Sequence, residues 1–244
     1  IMADLSYVDQ HTEVVYAGME VTNERQKVQV TVIKTDAETK KELEGAIFGL
    51  YAAEDIVNAD GKIIVAKDTL VEKAVTGTDG KCVFVSDLPL GQYYVKEIEA
   101  PKGYVLNEEI FALDASYQGD DVKVIELEAT FANYPTKLEI SKTDITGEYE
   151  LKGATLSIID KDGNVVETWK SDGETHYIER IPVGEYILRE EAAPYGYKIA
   201  NEVKFTVENT KEIQKVSMKD ELVSGKIIIE KTDEVTGKGI AGVE

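Results

Sequence analysis

An apolar strand that ends on a lysine occurs three times in this chain, and it constrains the fold more than any other feature. It reads VQVTVIKTD at Val28 to Asp36, KLEISKTD at Lys137 to Asp144, and KIIIEKTD at Lys226 to Asp233. Successive side chains of a strand point to opposite faces, so residues two apart share a face. Val28, Val30 and Val32 are in phase with Lys34, Leu138 and Ile140 with Lys142, and Ile227 and Ile229 with Lys231. If the aliphatic residues face a core, each lysine does too. A core-facing ammonium is costly without a partner. Three of them at the same place in a repeat ask for a chemical reason.

The repetition extends well beyond these strands. Lys34 to Gly45, Lys142 to Gly153 and Lys231 to Gly242 each span 11 positions. GTDGKCVFVSDLPLGQYYVKEIEAPKGY, from Gly77, aligns without a gap to KSDGETHYIERIPVGEYILREEAAPYGY, from Lys170, at a constant offset of 93. Asp79–Gly80, Asp172–Gly173, Asp60–Gly61 and Asp162–Gly163 are hairpin-turn dipeptides between strand-like runs. No segment carries a long helical stripe. Short strands punctuated by Gly, Asp, Asn and Pro predict antiparallel β-sandwiches.

Each repeat closes on an alternating strand, Ile125–Leu127–Ala129–Phe131 before Asn133, and Val216–Met218 before Asp220. The junctions that follow, Tyr134 to Lys137 and Glu221 to Gly225, are short. Short junctions predict a semi-rigid tandem array. We divide the chain into residues 1–26, the C-terminal strands of a preceding truncated repeat, and two complete repeats at 27–135 and 136–224. Residues 225–244 are read as the first strand of a following truncated repeat. On this reading the chain is an internal segment of a longer protein.

The same parity test applied to other charged residues finds two glutamates. Tyr93 and Val95 are in phase with Glu97, and Tyr186 and Leu188 with Glu190, the two glutamates again 93 apart. Each complete repeat therefore turns a Lys, a Glu and an Asn or Asp inward. Desolvation favours a neutral, nucleophilic lysine amine. A buried carboxyl has a raised pKa and can hydrogen-bond and polarise the acceptor carbonyl while relaying protons. The expected product is an amide joining the first and last strands, with ammonia leaving from Asn or water from Asp.

The K-T-D start, the L-x-G-A strand (Leu43 to Ala46, Leu151 to Ala154) and the E-x-x-A-P-x-G-Y block (Glu97 to Tyr104, Glu190 to Tyr197) resemble the SpaA/Cna-B-type prealbumin-like repeats of Gram-positive surface proteins. The resemblance implies an all-β chain of tandem prealbumin-like (inverse immunoglobulin-like) sandwiches with autocatalytic intramolecular isopeptide bonds, displayed on the cell wall. By position it assigns bonds to Lys34 with Asn133 and Lys142 with Asp220, with Glu97 and Glu190 as proton relays. Asp220 departs from the commoner Asn. Asn23 and Lys231 are orphan candidates, because Asn23 precedes Lys34 by 11 residues as Asp220 precedes Lys231. No bond is expected at either.

The implied function is a stalk segment of an adhesin or pilin-like protein. The competing reading is a ligand-binding adhesin module that contacts host protein or glycan through the Glu54 to Lys73 insert or Tyr117. Neither reading calls for a cofactor or metal, or for an enzyme acting on an external substrate. Asp160, Asp162 and Asn164 open like a calcium loop, but Val165 stands where glycine is needed, so a hairpin is expected. A net charge of −20 argues against nucleic acid and anionic membrane surfaces as partners, leaving neighbouring repeats as the expected contacts. The single cysteine, Cys82, excludes an internal disulfide framework.

Overall fold

The computed structural model describes residues 10–11, 26–58 and 60–241. Asn23, an orphan candidate, lies outside the described residues.

The first repeat contains β1 (Lys27–Asp36), β2 (Ile47–Ala52), β3 (Ile56–Val57), β4 (Ile63–Val65), β5 (Leu70–Val75), β6 (Lys81–Phe84), β7 (Gly91–Glu99), β8 (Ile110–Ala115) and β9 (Val124–Asn133). The second contains β10 (Lys137–Asp144), β11 (Lys152–Asp160), β12 (Val165–Asp172), β13 (His176–Glu179), β14 (Gly184–Ala192), β15 (Val203–Val207) and β16 (Ile213–Asp220). The described residues form strands, turns and irregular segments, as the patterning predicts. No helix among them is long and apolar enough to cross a membrane.

Two sheets make each sandwich. In the first, β6-β1-β9 packs against β5-β2-β7-β8; in the second, β13-β10-β16 packs against β12-β11-β14-β15. One core joins Val30, Val32 and Phe131 to Phe48, Leu50 and Val95. A separate core joins Leu138, Ile140 and Met218 to Leu156, Ile158 and Leu188. The pairings are antiparallel with one exception per sandwich: the first and last strands run parallel, β1 with β9 and β10 with β16. Turn dipeptides specify antiparallel neighbours, but nothing local specifies this pairing of chain ends. Its register sets Asp36 opposite Asn133 and Asp144 opposite Asp220.

The 54–73 insert forms the small β3–β4 hairpin and leads into β5. The Asp160 carboxylate accepts hydrogen bonds from the backbone of Asp162 and Asn164, so this segment is the β11–β12 turn. Cys82 is buried opposite Val32, and burial pushes its thiol up to about 11, which leaves it unreactive in the folded chain. The third lysine strand does not enter a sheet. Ile227 and Ile229 are 87% and 88% exposed, and Lys231 is exposed as well.

Candidate functional site

Strand alternation delivers the first-repeat triad as the sequence parity requires. In β1 the buried positions are Val28, Val30, Val32, Lys34 and Asp36; in β7 they are Tyr93, Val95 and Glu97. Asn133 ends β9 on the same inward phase as Phe131 and Ala129. Lys34 is 0%, Glu97 4% and Asn133 1% exposed, so the three groups share a site closed to bulk water. Phe131 lies opposite Lys34 in the ladder and meets Phe48, ring centroids 4.9 Å apart, giving the site an apolar wall.

Glu97 is held from both sides. The Asn107 backbone N–H donates to Glu97 Oε2 at 2.8 Å, and Asn133 Nδ2 lies 2.8 Å from both Glu97 oxygens. Asn133 Oδ1 is buried without a hydrogen-bond partner. Turning the amide over exchanges its O and N and sets the carbonyl against Glu97, where a protonated carboxyl would donate to it. Burial raises the Glu97 pKa against the opposing pull of Asn107, Asn133 and Lys34. Burial also lowers Lys34 to about 8, although Glu97 and Asp36 pull it upward. Both shifts favour the neutral amine and neutral acid, the proton arrangement that nucleophilic attack on a polarised amide requires.

The second repeat builds the same site with an aspartate in place of the asparagine. Lys142, Glu190 and Asp220 are 2%, 5% and 1% exposed. Lys142 Nζ donates to Asp220 Oδ1. Glu190 Oε1 lies 3.0 Å from the same nitrogen, an ion-pair distance without hydrogen-bond alignment. The Ala200 N–H holds Glu190 Oε2 at 2.7 Å. Asp220 is raised by burial first; Lys142 pulls it down and the neighbouring Glu190 carboxyl adds to the upward push. A protonated Asp220 is the form that can lose hydroxyl as water.

The structure thus brings Lys142 together with Glu190 and Asp220, and Glu97 with Asn133; Lys34 is buried within electrostatic reach of Glu97, its Nζ donating to Thr35 O at 3.1 Å. It leaves Lys231 outside any such site. Parity reasoning passed over three contributors. The N–H donors of Asn107 and Ala200 each follow their glutamate by ten residues, a spacing that was readable once the repeats were aligned. Asp36 shares the inward phase of Lys34; it is 1% exposed and accepts Tyr104 Oη–H at 2.9 Å. Among the described residues no group of His, Cys, Asp and Glu could hold a metal ion.

In Asn133→Ala, Lys34 keeps its desolvated seat and remains titratable. The unfolded chain then binds more protons than the folded one between pH 8 and 10.5, so folding stability should rise with pH across that window. The gain expected is about 3 kcal/mol. Urea midpoints across the window, compared with those of an Asn133→Ala/Lys34→Met double variant, isolate this contribution. Identical pH profiles for the two variants would show that Lys34 is not the desolvated group.

Paired sandwiches, each with a buried Lys–Glu–Asn/Asp cluster where the first strand runs beside the last, define a class of tandem-repeat structural domains. The sequence matches the SpaA prealbumin-like fold domain profile over residues 28–128 and again over 136–222, and the chain belongs to that family. It is 30% identical over 95 residues to the trypsin-resistant surface T6 protein of Streptococcus pyogenes serotype M6, a match covering 39% of this chain and 15% of that protein. Among solved structures it resembles the Bacillus anthracis TIE protein, with 25% identity and a TM-score of 0.43 over 86% of this chain and 38% of that one. It also resembles a minor pilin of the Gram-positive pathogen Streptococcus agalactiae, with 18% identity and a TM-score of 0.36 over 83% of this chain and 99% of that one. The chain thus spans a minor part of the first two of these relatives.

Proposed function

We propose that this chain is a stalk segment of a Gram-positive cell-surface adhesin or pilin-like protein, in which each of two domains, 27–135 and 136–224, is locked by an isopeptide bond. The observation that carries the reading is the pair of buried triads, each joining the first strand of a sandwich to its last.

In the first domain the neutral Lys34 amine attacks the Asn133 side-chain carbonyl carbon. The C–N bond to Lys34 forms and the bond to the Asn133 amide nitrogen breaks. Glu97 takes the proton from the attacking nitrogen and supplies one to the leaving nitrogen, which departs as ammonia. In the second domain Lys142 attacks the protonated Asp220 carboxyl, Glu190 makes the same transfers, and water leaves. The protein is substrate and product at once, so the glutamates act a single time and no external substrate is turned over.

The mechanical consequence follows from the parallel pairing. The linked strands carry the two ends of each domain, so tension entering at β1 passes through the cross-link to β9 without peeling the sheets between them. An amide is also inert to the reductants that cleave disulfides. The implied partners are neighbouring repeats of the same protein, and the implied location is the cell wall.

Intact-mass measurement of the purified folded chain tests the proposal. The expected mass is lower than that of the sequence by one ammonia and one water. An unmodified mass would overturn it and leave two buried polar clusters without a covalent role.

A further inference from the structure

The pole of the first repeat that faces the second is built as a socket. Gly103 sits at φ +81°, and an ideal Cβ placed on it would lie 2.7 Å from the Arg180 Cα. Arg180 itself occupies a left-handed conformation, φ 63°, unusual for a residue with a side chain. The two backbones therefore meet at a distance that no side chain at position 103 permits.

Polar groups latch the contact. Thr136 is 0% exposed; its N–H donates to Gly103 O at 3.0 Å, and its hydroxyl lies near both Gly103 O and Ile181 O. The Arg180 N–H donates to Thr136 O at 2.9 Å. The Arg180 guanidinium stands 5.9 Å from the Tyr104 ring centroid and 3.9 Å from Asp36 Oδ2, the carboxylate that Tyr104 already holds. Farther round the rim, Asn209 Oδ1 accepts the Leu106 N–H at 2.7 Å, and the Lys211 ammonium lies 5.4 Å from the Tyr134 ring centroid.

The second repeat carries the same pole with no described residue seated in it. Gly196, the counterpart of Gly103, has φ +87° and no atom within 4 Å of its ideal Cβ. Val223 takes the place of Thr136, donating its N–H to Gly196 O at 2.8 Å, and is 59% exposed. One chain therefore holds a filled and an open version of one surface.

We propose that the Gly103–Tyr104–Asp36 pole is a docking socket for the Arg180 turn of the following repeat, latched by Thr136 at the junction, and that this contact holds the two repeats at a single angle. The proposal rests on the stalk reading and adds to it a stiff joint: the array transmits orientation as well as tension. A short linker limits how far the repeats separate, whereas a keyed socket limits how they rotate.

The paired glycines make the test internally controlled, because alanine at either position meets a similar left-handed backbone penalty. Residual dipolar couplings measured on the full chain report the orientation of each repeat separately. One alignment tensor should fit both repeats in the unaltered chain and in Gly196→Ala. In Gly103→Ala the two tensors should diverge while each repeat keeps its internal couplings. If Gly103→Ala does not fold, Thr136→Val decides, since valine already occupies the counterpart position; it should also separate the tensors. Divergent tensors in the unaltered chain, or a single tensor in both Gly103→Ala and Thr136→Val, would overturn the proposal. Intact mass of the same samples reports the cross-links independently, so failure of the stalk chemistry and failure of the socket are read from different measurements.

Discussion

A chain carrying Glu97→Ala should fold, keep the ammonia that the proposed Lys34–Asn133 bond releases, and become easier to unfold by about 4–5 kcal/mol. The magnitude is the loop-entropy value for a cross-link closing a loop of roughly 100 residues. Lys34 and Asn133 both remain, so the nucleophile and acceptor are present and the carboxyl that moves protons between them is not. The side chains around Glu97 in the core, Tyr93, Val95 and Phe48, are unaltered and suffice for collapse. Losing the carboxylate also frees the Asn107 N–H, which adds about 1 kcal/mol. Mass is therefore the deciding readout and stability the supporting one. Ammonia loss in the variant would show that Glu97 packs and orients without relaying protons.

Lys142→Ala should have the larger effect. It removes the proposed second cross-link, again about 4–5 kcal/mol for ends 78 residues apart. It also leaves Asp220 as a free carboxyl buried beside Glu190 with no cation, and an uncompensated buried charge of this kind costs about 3–5 kcal/mol. Protonation relieves part of that cost. Asp220 is already raised by burial, and Lys142 is the group that pulls it down. The variant should therefore be most stable in acid and lose stability as pH rises through the raised folded value. Trp169, the single tryptophan, lies on β12 and packs against the second core, so its fluorescence reports unfolding of this repeat alone. A Lys142→Ala chain with an unaltered urea midpoint would remove both the bond and the cost of the freed Asp220 carboxyl from the account.

Much of the candidate site was legible because a strand has a period of two. Lys34, Glu97, Lys142, Glu190 and Asp220 each sit in phase with aliphatic or aromatic neighbours, and phase alone predicts which face they take. The offset of 93 then supplied the second glutamate from the first. Phase alone buries nothing at Lys231, the orphan candidate: Ile227 and Ile229 alternate, but no sheet among the described residues covers them, so they stay exposed. Alternation decides which side chains share a face, and burial of that face needs an opposing layer.

Asp36 shows the other limit. Its phase was as plain as that of Lys34, yet its partners are Tyr104, 68 residues away, and the Arg180 turn of the next repeat. The pattern along β1 holds no record of either. The parallel pairing of β1 with β9 is of the same kind, because strands linked by Asp-Gly turns announce antiparallel neighbours, whereas chain ends announce nothing.

The sequence by itself determined the all-β architecture, the inward phase of the two triads and the repeat that relates them, because these rest on local alternation and on counting. Tertiary structure decided that Asp36 rather than Lys34 stands opposite Asn133, that backbone N–H groups of Asn107 and Ala200 hold the glutamates, and that Arg180 enters the pole beside Gly103. Those facts depend on which surfaces meet after the chain has collapsed. Contacts between residues 68 to 103 positions apart leave no periodic trace in the segments that make them.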